Sequence, residues 1–175
     1  TMAAASCRPR VAVFSFSPLT SAPLPQDYGN AETDDLDDGD GTMEAVYFGN
    51  ASWQGNAGSG EGPWVGIDLE NGMYYGGNVS TASNEPLAHE FVTALVKGRR
   101  GSMAILGGDA TAGRLRSMYD GPRPDCKIAG TCERHKNATY TPSYQPMHKQ
   151  GAIILATGGD ESNDALGTFY EGFMV

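Results

Sequence analysis

Short apolar runs recur along the chain between glycine, proline and polar residues, and they predict β-strands. Runs of this kind occupy residues 11–16, 43–48, 64–69, 102–106, 115–119, 152–156 and 168–174, and residues 72–77 have the character of a turn with some strand. Short strands separated by repeated turn residues are typical of a sandwich of antiparallel sheets. The pattern therefore predicts an all-β protein.

One segment favours a helix instead. Pro86 falls near a first helical position, and Leu87, Phe91 and Leu95 recur at a spacing of four residues, which places them on one helical face. Residues 91–96 also have a β-type composition. The residues themselves leave both structures open, and the spacing favours the helix.

The length and the charge of the chain narrow the classes of partner. Its 175 residues suit one domain, and its net charge is −9. Nucleic acids and anionic membranes bind proteins through Lys and Arg, so neither is expected as a partner. The longest apolar run is far shorter than the roughly 18 residues of a membrane-spanning helix.

Three glycosylation sequons predict a secreted, extracellular glycoprotein. They begin at Asn50, Asn78 and Asn137, each in polar or glycine-rich surroundings, as the acceptor pattern requires. The first ten residues lack the long apolar stretch of a signal peptide. The extracellular prediction therefore depends on the sequons and on the cysteines.

Cys126 and Cys132 enclose a short loop that a disulfide bond could close. Cys7 is then the remaining cysteine. Cys7 would then pair with another segment or another chain, or stay free. The alternative is three unrelated thiols. The spacing fits no zinc site, and the acidic residues 34–40 lack the pattern of a calcium-binding loop. We therefore expect no metal.

Paired carboxylates are the candidate chemistry, because glycosidic bonds are cleaved between two carboxyl groups. Glu70 follows the strand-like residues 64–69, and Asp68 shares its face at a spacing of two. Trp64 and Trp53 lie nearby, and an indole can stack on the C–H face of a sugar. The alternative is an ordinary strand surface that faces solvent.

The second candidate, Asp160, follows the apolar residues 152–156 through a glycine-rich connection. Acidic residues in loops at strand ends are common in catalytic sites. They are also common as turn-capping residues. Glu161, Asp164 and Glu171 are acidic neighbours that compete for the same role.

Several blocks of sequence, in a fixed order, resemble the catalytic domain of fungal α-L-arabinofuranosidase B (glycoside hydrolase family 54). The first is the Asp-Tyr-Gly-Asn-Ala-Glu element at residues 27–32. The other blocks are residues 43–50, 62–71, 91–98, 151–155, 158–160 and 167–172. Their shared order makes the resemblance more specific than any single motif.

The resemblance implies a concanavalin A-like β-sandwich, or jelly roll, with residues 91–97 as a strand. It divides the chain into a divergent N-terminal segment, residues 1–26, and a catalytic sandwich, residues 27–175. The family's domain is longer than this stretch, so the sandwich would be incomplete. Three explanations are a fragment, a reduced fold, or strands supplied by another chain.

The resemblance also implies an activity, the release of terminal α-L-arabinofuranosyl groups from arabinose-containing polysaccharides with retention of configuration. Glu70 would be the nucleophile and Asp160 the general acid/base, without any cofactor. The other residues implied at the arabinose site are Asp68, Asn71, Trp53 and Gly159. Residues 24–26 replace the adjacent cysteines that the family carries at the sugar site. The competing hypothesis is a non-catalytic carbohydrate-binding or structural extracellular glycoprotein of the same fold.

Overall fold

The protein folds into two β-sheets. It is described by a computed structural model over residues 10–18, 26–30, 44–50, 58–69, 72–76, 84–99, 102–122, 153–157 and 167–174. The strands in these ranges are β1 (Arg10–Pro18), β2 (Gln26–Asn30), β3 (Glu44–Gly49), β4 (Trp64–Leu69), β5 (Gly72–Tyr74), β6 (Val92–Arg99), β7 (Ser102–Asp109), β8 (Arg116–Pro122), β9 (Ile153–Thr157) and β10 (Gly167–Met174).

The strands form two five-stranded antiparallel sheets. The first sheet has the order β10-β1-β6-β7-β8, and the second has the order β5-β4-β3-β2-β9. The sheets face each other, with β4 against β7, β3 against β1 and β6, and β9 against β10. The described residues contain no helix, so the all-β prediction is confirmed.

Alternating side chains of the strands fill the space between the sheets. In β6, Val92, Ala94 and Val96 are buried, while the residues between them are partly exposed. Successive side chains of a strand point to opposite faces, so this alternation identifies the face of β6 that packs on the second sheet. The core they join also contains Val46, Phe48, Val65, Ile67, Tyr74, Leu87, Met103, Ile105 and Met118.

Strand β4 is buried on both of its faces. Val65 and Ile67 point into the core, whereas Trp64, Gly66 and Asp68 occupy the opposite, outer face and are buried there as well. Strands covered on both faces show apolar runs rather than a strict alternation of apolar and polar residues. A second layer of packing therefore lies on the outer face of this sheet.

The helix that the spacing favoured over residues 84–97 is wrong. Residues 84–89 have no regular structure, and β6 begins at Val92. Leu87 inserts between the sheets, where its Cδ1 would lie 2.5 Å from a Cβ built on Gly107. Its amide also donates to the carbonyl of Pro63 at 2.8 Å. The strand that the family resemblance implied at residues 91–97 is confirmed.

Strand β2 was not predicted from the apolar pattern. Its residues, Gln26–Asn30, include Asp, Gly and Asn, which are depleted in strands. Its partners decide its structure, because β2 pairs with β3 on one side and with β9 on the other. Tertiary pairing therefore overrides local propensity here.

Strand β1 confirms the strand predicted at residues 11–16 and lies between two other strands of the first sheet. It pairs with β10 on one side and with β6 on the other. The division of the chain at residue 26 stays a prediction, although β1 shares a sheet with strands from beyond it.

Candidate active site

A tight hairpin carries the predicted nucleophile. Strands β4 and β5 pair in register down to Leu69 and Gly72. Glu70 and Asn71 are therefore the two residues that connect the strands, although their own placement lies outside the described residues. A two-residue connection is set by the pairing that flanks it, so the backbone on both sides of Glu70 is held by the sheet.

Asp68 lies inside the same hairpin. It pairs with Ala45 of β3 and Met73 of β5, and it is only 7% exposed. Burial of a carboxylate is unfavourable unless polar groups surround it. The prediction that Asp68 faces a sugar is not tested, but its position two residues before Glu70 and its burial are both observed.

Three aromatic rings form the floor of the outer face beside Asp68. The ring of Tyr75 meets Tyr47 edge to face, with centroids 5.8 Å apart, and meets Trp64 at 5.6 Å. Gly66 lies beneath the same ring, because a Cβ there would come within 2.9 Å of it. All three aromatic side chains are buried, so they give this face a rigid apolar base.

Trp64 is therefore a packing residue and does not offer a free ring to a sugar. Its indole Nε1 donates to the carbonyl of Ser59 at 2.9 Å. The backbone at Gly58 and Gly62 lies against the indole so closely that a Cβ at either position would overlap it. The sequence suggested stacking on Trp64, and the structure corrects that suggestion.

Asn84 is a buried structural residue that no pattern in the sequence singled out. Its Nδ2 donates to the carbonyl of Val65 at 2.5 Å and to that of Tyr75 at 3.1 Å. The pairing of β4 with β5 ends at Ile67 and Tyr74, so the amide links the two strands just beyond the last pair of their ladder. The side chain thereby connects the two strands of the hairpin at the end away from Glu70.

The strand before the second predicted carboxylate lies elsewhere in the same sheet. Strand β9 ends at Thr157, which pairs with Asp27, and Gly159 and Asp160 follow outside the described residues. The pairings through β3 and β2 relate the two strands. Strand β4 ends with Leu69 at one end of the sheet, and β9 ends with Thr157 toward the other end. The structure does not test whether Glu70 and Asp160 meet. The two carboxyl groups of a retaining glycosidase lie about 5–5.5 Å apart. For Glu70 and Asp160 to reach that separation, the chain after Thr157 has to return across the sheet.

The remaining predicted sites fall mostly outside the described residues. Asn50 is exposed directly after β3, which is compatible with the predicted glycosylation. The other sites, which stay predictions, are Trp53, Asn71, Asn78, Cys126, Cys132, Asn137 and Cys7. The described residues contain no group of three or more potential metal ligands and no helix able to cross a membrane.

Two residues of the first sheet have shifted pKa values. The side-chain and backbone hydrogen bonds from Thr111, at 2.7 Å each, lower the pKa of Asp109, with His89 3.8 Å away. Burial raises the pKa of Tyr119, against an opposing hydrogen bond with Tyr74.

A family model described as "Alpha-L-arabinofuranosidase B, catalytic" matches residues 25–175. An α-L-arabinofuranosidase of Hypocrea jecorina is 47% identical over 150 residues, which is 85% of this chain and 27% of the relative. The chain belongs to the α-L-arabinofuranosidase B family.

Solved structures of the same family agree. An arabinofuranosidase complexed with arabinofuranosyl-α-1,2-xylobiose matches with a TM-score of 0.70 and 37% identity, over 99% of this chain and 33% of its own. A glutamate-to-glutamine mutant of a GH54 α-L-arabinofuranosidase, soaked with 4-nitrophenyl α-L-arabinofuranoside, matches with a TM-score of 0.69 at the same identity and coverage. The chain thus spans about a third of these solved chains and about a quarter of the curated relatives.

Proposed function

We propose that this chain forms part of a retaining glycosidase that releases terminal α-L-arabinofuranosyl groups from arabinose-containing polysaccharides. The observation that carries the proposal is the β4–β5 hairpin. It lies inside the stretch that matches the family, it connects through Glu70 and Asn71, and it holds the buried Asp68. The ligands of the solved relatives, arabinofuranosyl-xylobiose and an aryl arabinofuranoside, support the substrate class.

Two carboxyl groups would carry the reaction. The Glu70 carboxylate attacks the anomeric carbon while the bond to the leaving oxygen breaks, and Asp160 gives that oxygen its proton. The arabinosyl group is then held on Glu70 as an ester. Asp160, now ionised, takes a proton from water, whose oxygen attacks the same carbon and regenerates Glu70. No metal or organic cofactor takes part in this scheme.

The hairpin would position the nucleophile. The sheet pairing, the aromatic floor and the Asn84 amide restrain the strands that flank Glu70. A nucleophile on a restrained backbone needs less reorganisation as the transition state forms. Asp68, Asn71, Trp53 and the Gly159 backbone are the proposed contacts of the arabinose hydroxyls.

The finer fold and the location of the protein belong to the same proposal. The two facing antiparallel sheets agree with a concanavalin A-like jelly roll. A polysaccharide substrate fits a secreted, extracellular protein with sugars on Asn50, Asn78 and Asn137. A disulfide bond between Cys126 and Cys132 would suit that oxidising environment.

The Glu70→Gln variant tests the nucleophile. We expect release of 4-nitrophenol from 4-nitrophenyl α-L-arabinofuranoside to fall by at least about 10³-fold, because a nucleophile residue is essential to its catalytic unit. Glu61→Gln makes the same change at an exposed position in the loop before β4 and should leave the rate unchanged. Both variants should keep the circular dichroism spectrum of the native chain.

The outcome separates the competing functions. A fully active Glu70→Gln protein would exclude Glu70 as the nucleophile. A folded native chain that releases no product, yet binds arabinose-containing oligosaccharides, would favour the non-catalytic alternative.

The stereochemistry of the product tests the mechanism independently. A covalent intermediate on Glu70 requires two inversions, so the first arabinose released should be the α-anomer. Proton NMR of the anomeric signals during early turnover detects it before mutarotation. A β-anomer would show a single displacement by water and would remove the nucleophilic role from Glu70.

A further inference from the structure

Aromatic side chains are exposed on the outer face of the first sheet. Phe173 of β10 is 55% exposed, and Tyr170 of the same strand is 54% exposed. Phe91, which directly precedes β6, is partly exposed. Its ring contacts that of Tyr170, with centroids 5.7 Å apart and planes inclined by 49°. We call these three residues the aromatic face.

Strand pairing shows that Phe173 points away from the core. Val13 of β1 pairs with Phe173 on one side and with Leu95 of β6 on the other. Residues paired across antiparallel strands share a face. Leu95 is partly exposed, whereas Ala94 and Val96 on either side of it are buried in the core. The row from Phe173 to Leu95 therefore lies on the outer face of the sheet.

Phe91 and Tyr170 lie on the same outer face. Val92 is buried in the core, and successive side chains alternate between the two sides of a strand, so Phe91 lies on the solvent side. The ring contact brings Tyr170 to the same side. A register shift in the pairing of β1 with β10 leaves Tyr170 as an additional residue between Phe169 and Glu171. Such a bulge can redirect a side chain.

Polar side chains lie beside the aromatic face. Glu171 and Thr93 share one row, because both pair with Ser15. Glu171 is exposed and Thr93 is partly exposed. Lys97, also partly exposed, follows Leu95 at the next outward position of β6. A ligand on this surface therefore meets a carboxylate, a hydroxyl and an ammonium group, which together accept and donate hydrogen bonds.

This combination fits a neutral polysaccharide. The C–H face of a sugar ring stacks on aromatic side chains, and its hydroxyl groups can bond to polar side chains of either charge. A protein partner would have to bury both Glu171 and Lys97, which is unfavourable unless each is matched by a partner. Surfaces that bind proteins also tend to be contiguous apolar patches. Nucleic acids and acidic glycans are opposed by the net charge of −9.

We propose that the aromatic face binds the backbone of the arabinose-containing polysaccharide, away from the reacting bond. The identity of the polymer rests on the proposed function. The aromatic face belongs to the first sheet, whereas Asp68 and the connection through Glu70 belong to the second. Attachment of the polymer at the aromatic face leaves the hairpin free and raises the local concentration of arabinosyl groups around it.

Affinity gel electrophoresis in soluble arabinoxylan measures this binding directly, with Glu70→Gln present in every sample so that the polymer is not consumed. Tyr170→Ala and Phe173→Ala should each weaken retention by the polymer about tenfold, because each removes one stacking surface. Phe173→Tyr keeps a ring and should bind like the parent chain. Thr168→Ala changes an exposed residue of the same strand and should also leave retention unchanged.

Kinetics without the Glu70 change give a second readout. For release of arabinose from arabinoxylan, Tyr170→Ala and Phe173→Ala should each raise KM about tenfold and leave kcat unchanged, because the polymer is bound less tightly and the chemistry is untouched. Hydrolysis of 4-nitrophenyl α-L-arabinofuranoside should proceed at the native rate in both variants, since this substrate has no backbone to bind.

The outcomes separate this proposal from the proposed function. Retention of the two alanine variants at the parent level, or no retention of the parent chain, would overturn the aromatic face as a binding site. A dimer of the native chain that Phe173→Ala converts to monomers in sedimentation would identify a protein interface there and would also overturn it. Retention that depends on Tyr170 and Phe173 in a chain that releases no arabinose would support the binding site and contradict only the proposed hydrolysis.

Discussion

At the residue scale, two polar side chains, one buried and one partly exposed, hold local structure by hydrogen bonds. Asn84 is fully buried and donates its amide to the carbonyls of Val65 and Tyr75. Asp109 uses its carboxylate to bind the amide and hydroxyl of Thr111 in the loop after β7. The role of Asn84 could not be read from the sequence, because its partners lie 9 and 19 residues away and are fixed by the fold.

Replacement of Asn84 by Ala should destabilise the fold by about 2–4 kcal/mol, because two buried carbonyls lose their donor. Urea unfolding followed by tryptophan fluorescence measures the change. Ser59→Ala is the control, since the Ser59 hydroxyl and the Ser59 amide both donate to the carbonyl of Asn84. One donor remains there, so the control should lose less than about 1 kcal/mol. Equal losses in the two variants would contradict the structural role of the Asn84 amide.

The contribution of Asp109 should depend on pH. Its pKa in the fold lies below the ordinary value of 3.8, so its stabilising effect is present above that value and is lost as the pH falls through the lowered pKa. Asp109→Asn should therefore be less stable than the native chain at neutral pH, and the difference should shrink in acid. Thermal unfolding across this range measures it. A constant difference at all pH values would refute the assignment.

At the element scale, close packing between the sheets fixes the path of the segment that precedes β6. The spacing of Leu87, Phe91 and Leu95 favoured a helix. That prediction was wrong because the side chains pack in different parts of the structure. Leu87 enters the core, while the ring of Phe91 contacts that of Tyr170 with centroids 5.7 Å apart. The spacing of residues along the chain contains no information about these contacts, because they join distant parts of the chain.

Gly107→Ala should destabilise the protein by about 1–3 kcal/mol, because its Cβ would meet Leu87 at 2.5 Å and Val65 at 3.0 Å. Leu87→Ala alone should cost about 2–5 kcal/mol through the cavity it leaves. In the double variant the new methyl group gains space, so the combined loss should be smaller than the sum. A double-mutant cycle by chemical denaturation measures the coupling. Strict additivity would mean that these positions do not compete for the same volume.

At the scale of the whole molecule, the sequence predicted the class of fold well and its topology hardly at all. Apolar runs located most strands because those strands contain β-branched and aromatic residues. The order of strands depends on pairs far apart in sequence, such as β1 with β10, and no local pattern contains it. The hairpin at Glu70 was recognisable through the family blocks, whereas the burial of Trp64 and the role of Asn84 needed the three-dimensional structure.

The two-residue connection at Glu70 and Asn71 also makes the chain intolerant of a change in length at that point. Side chains of a strand alternate with a period of two, so one inserted residue would turn β5 over. Tyr74 would leave the core and its contact with Tyr119, and Tyr75 would leave the aromatic floor. Residues 110–114, by contrast, are exposed in the loop between β7 and β8. An inserted tag or domain should be accepted there and rejected at the hairpin.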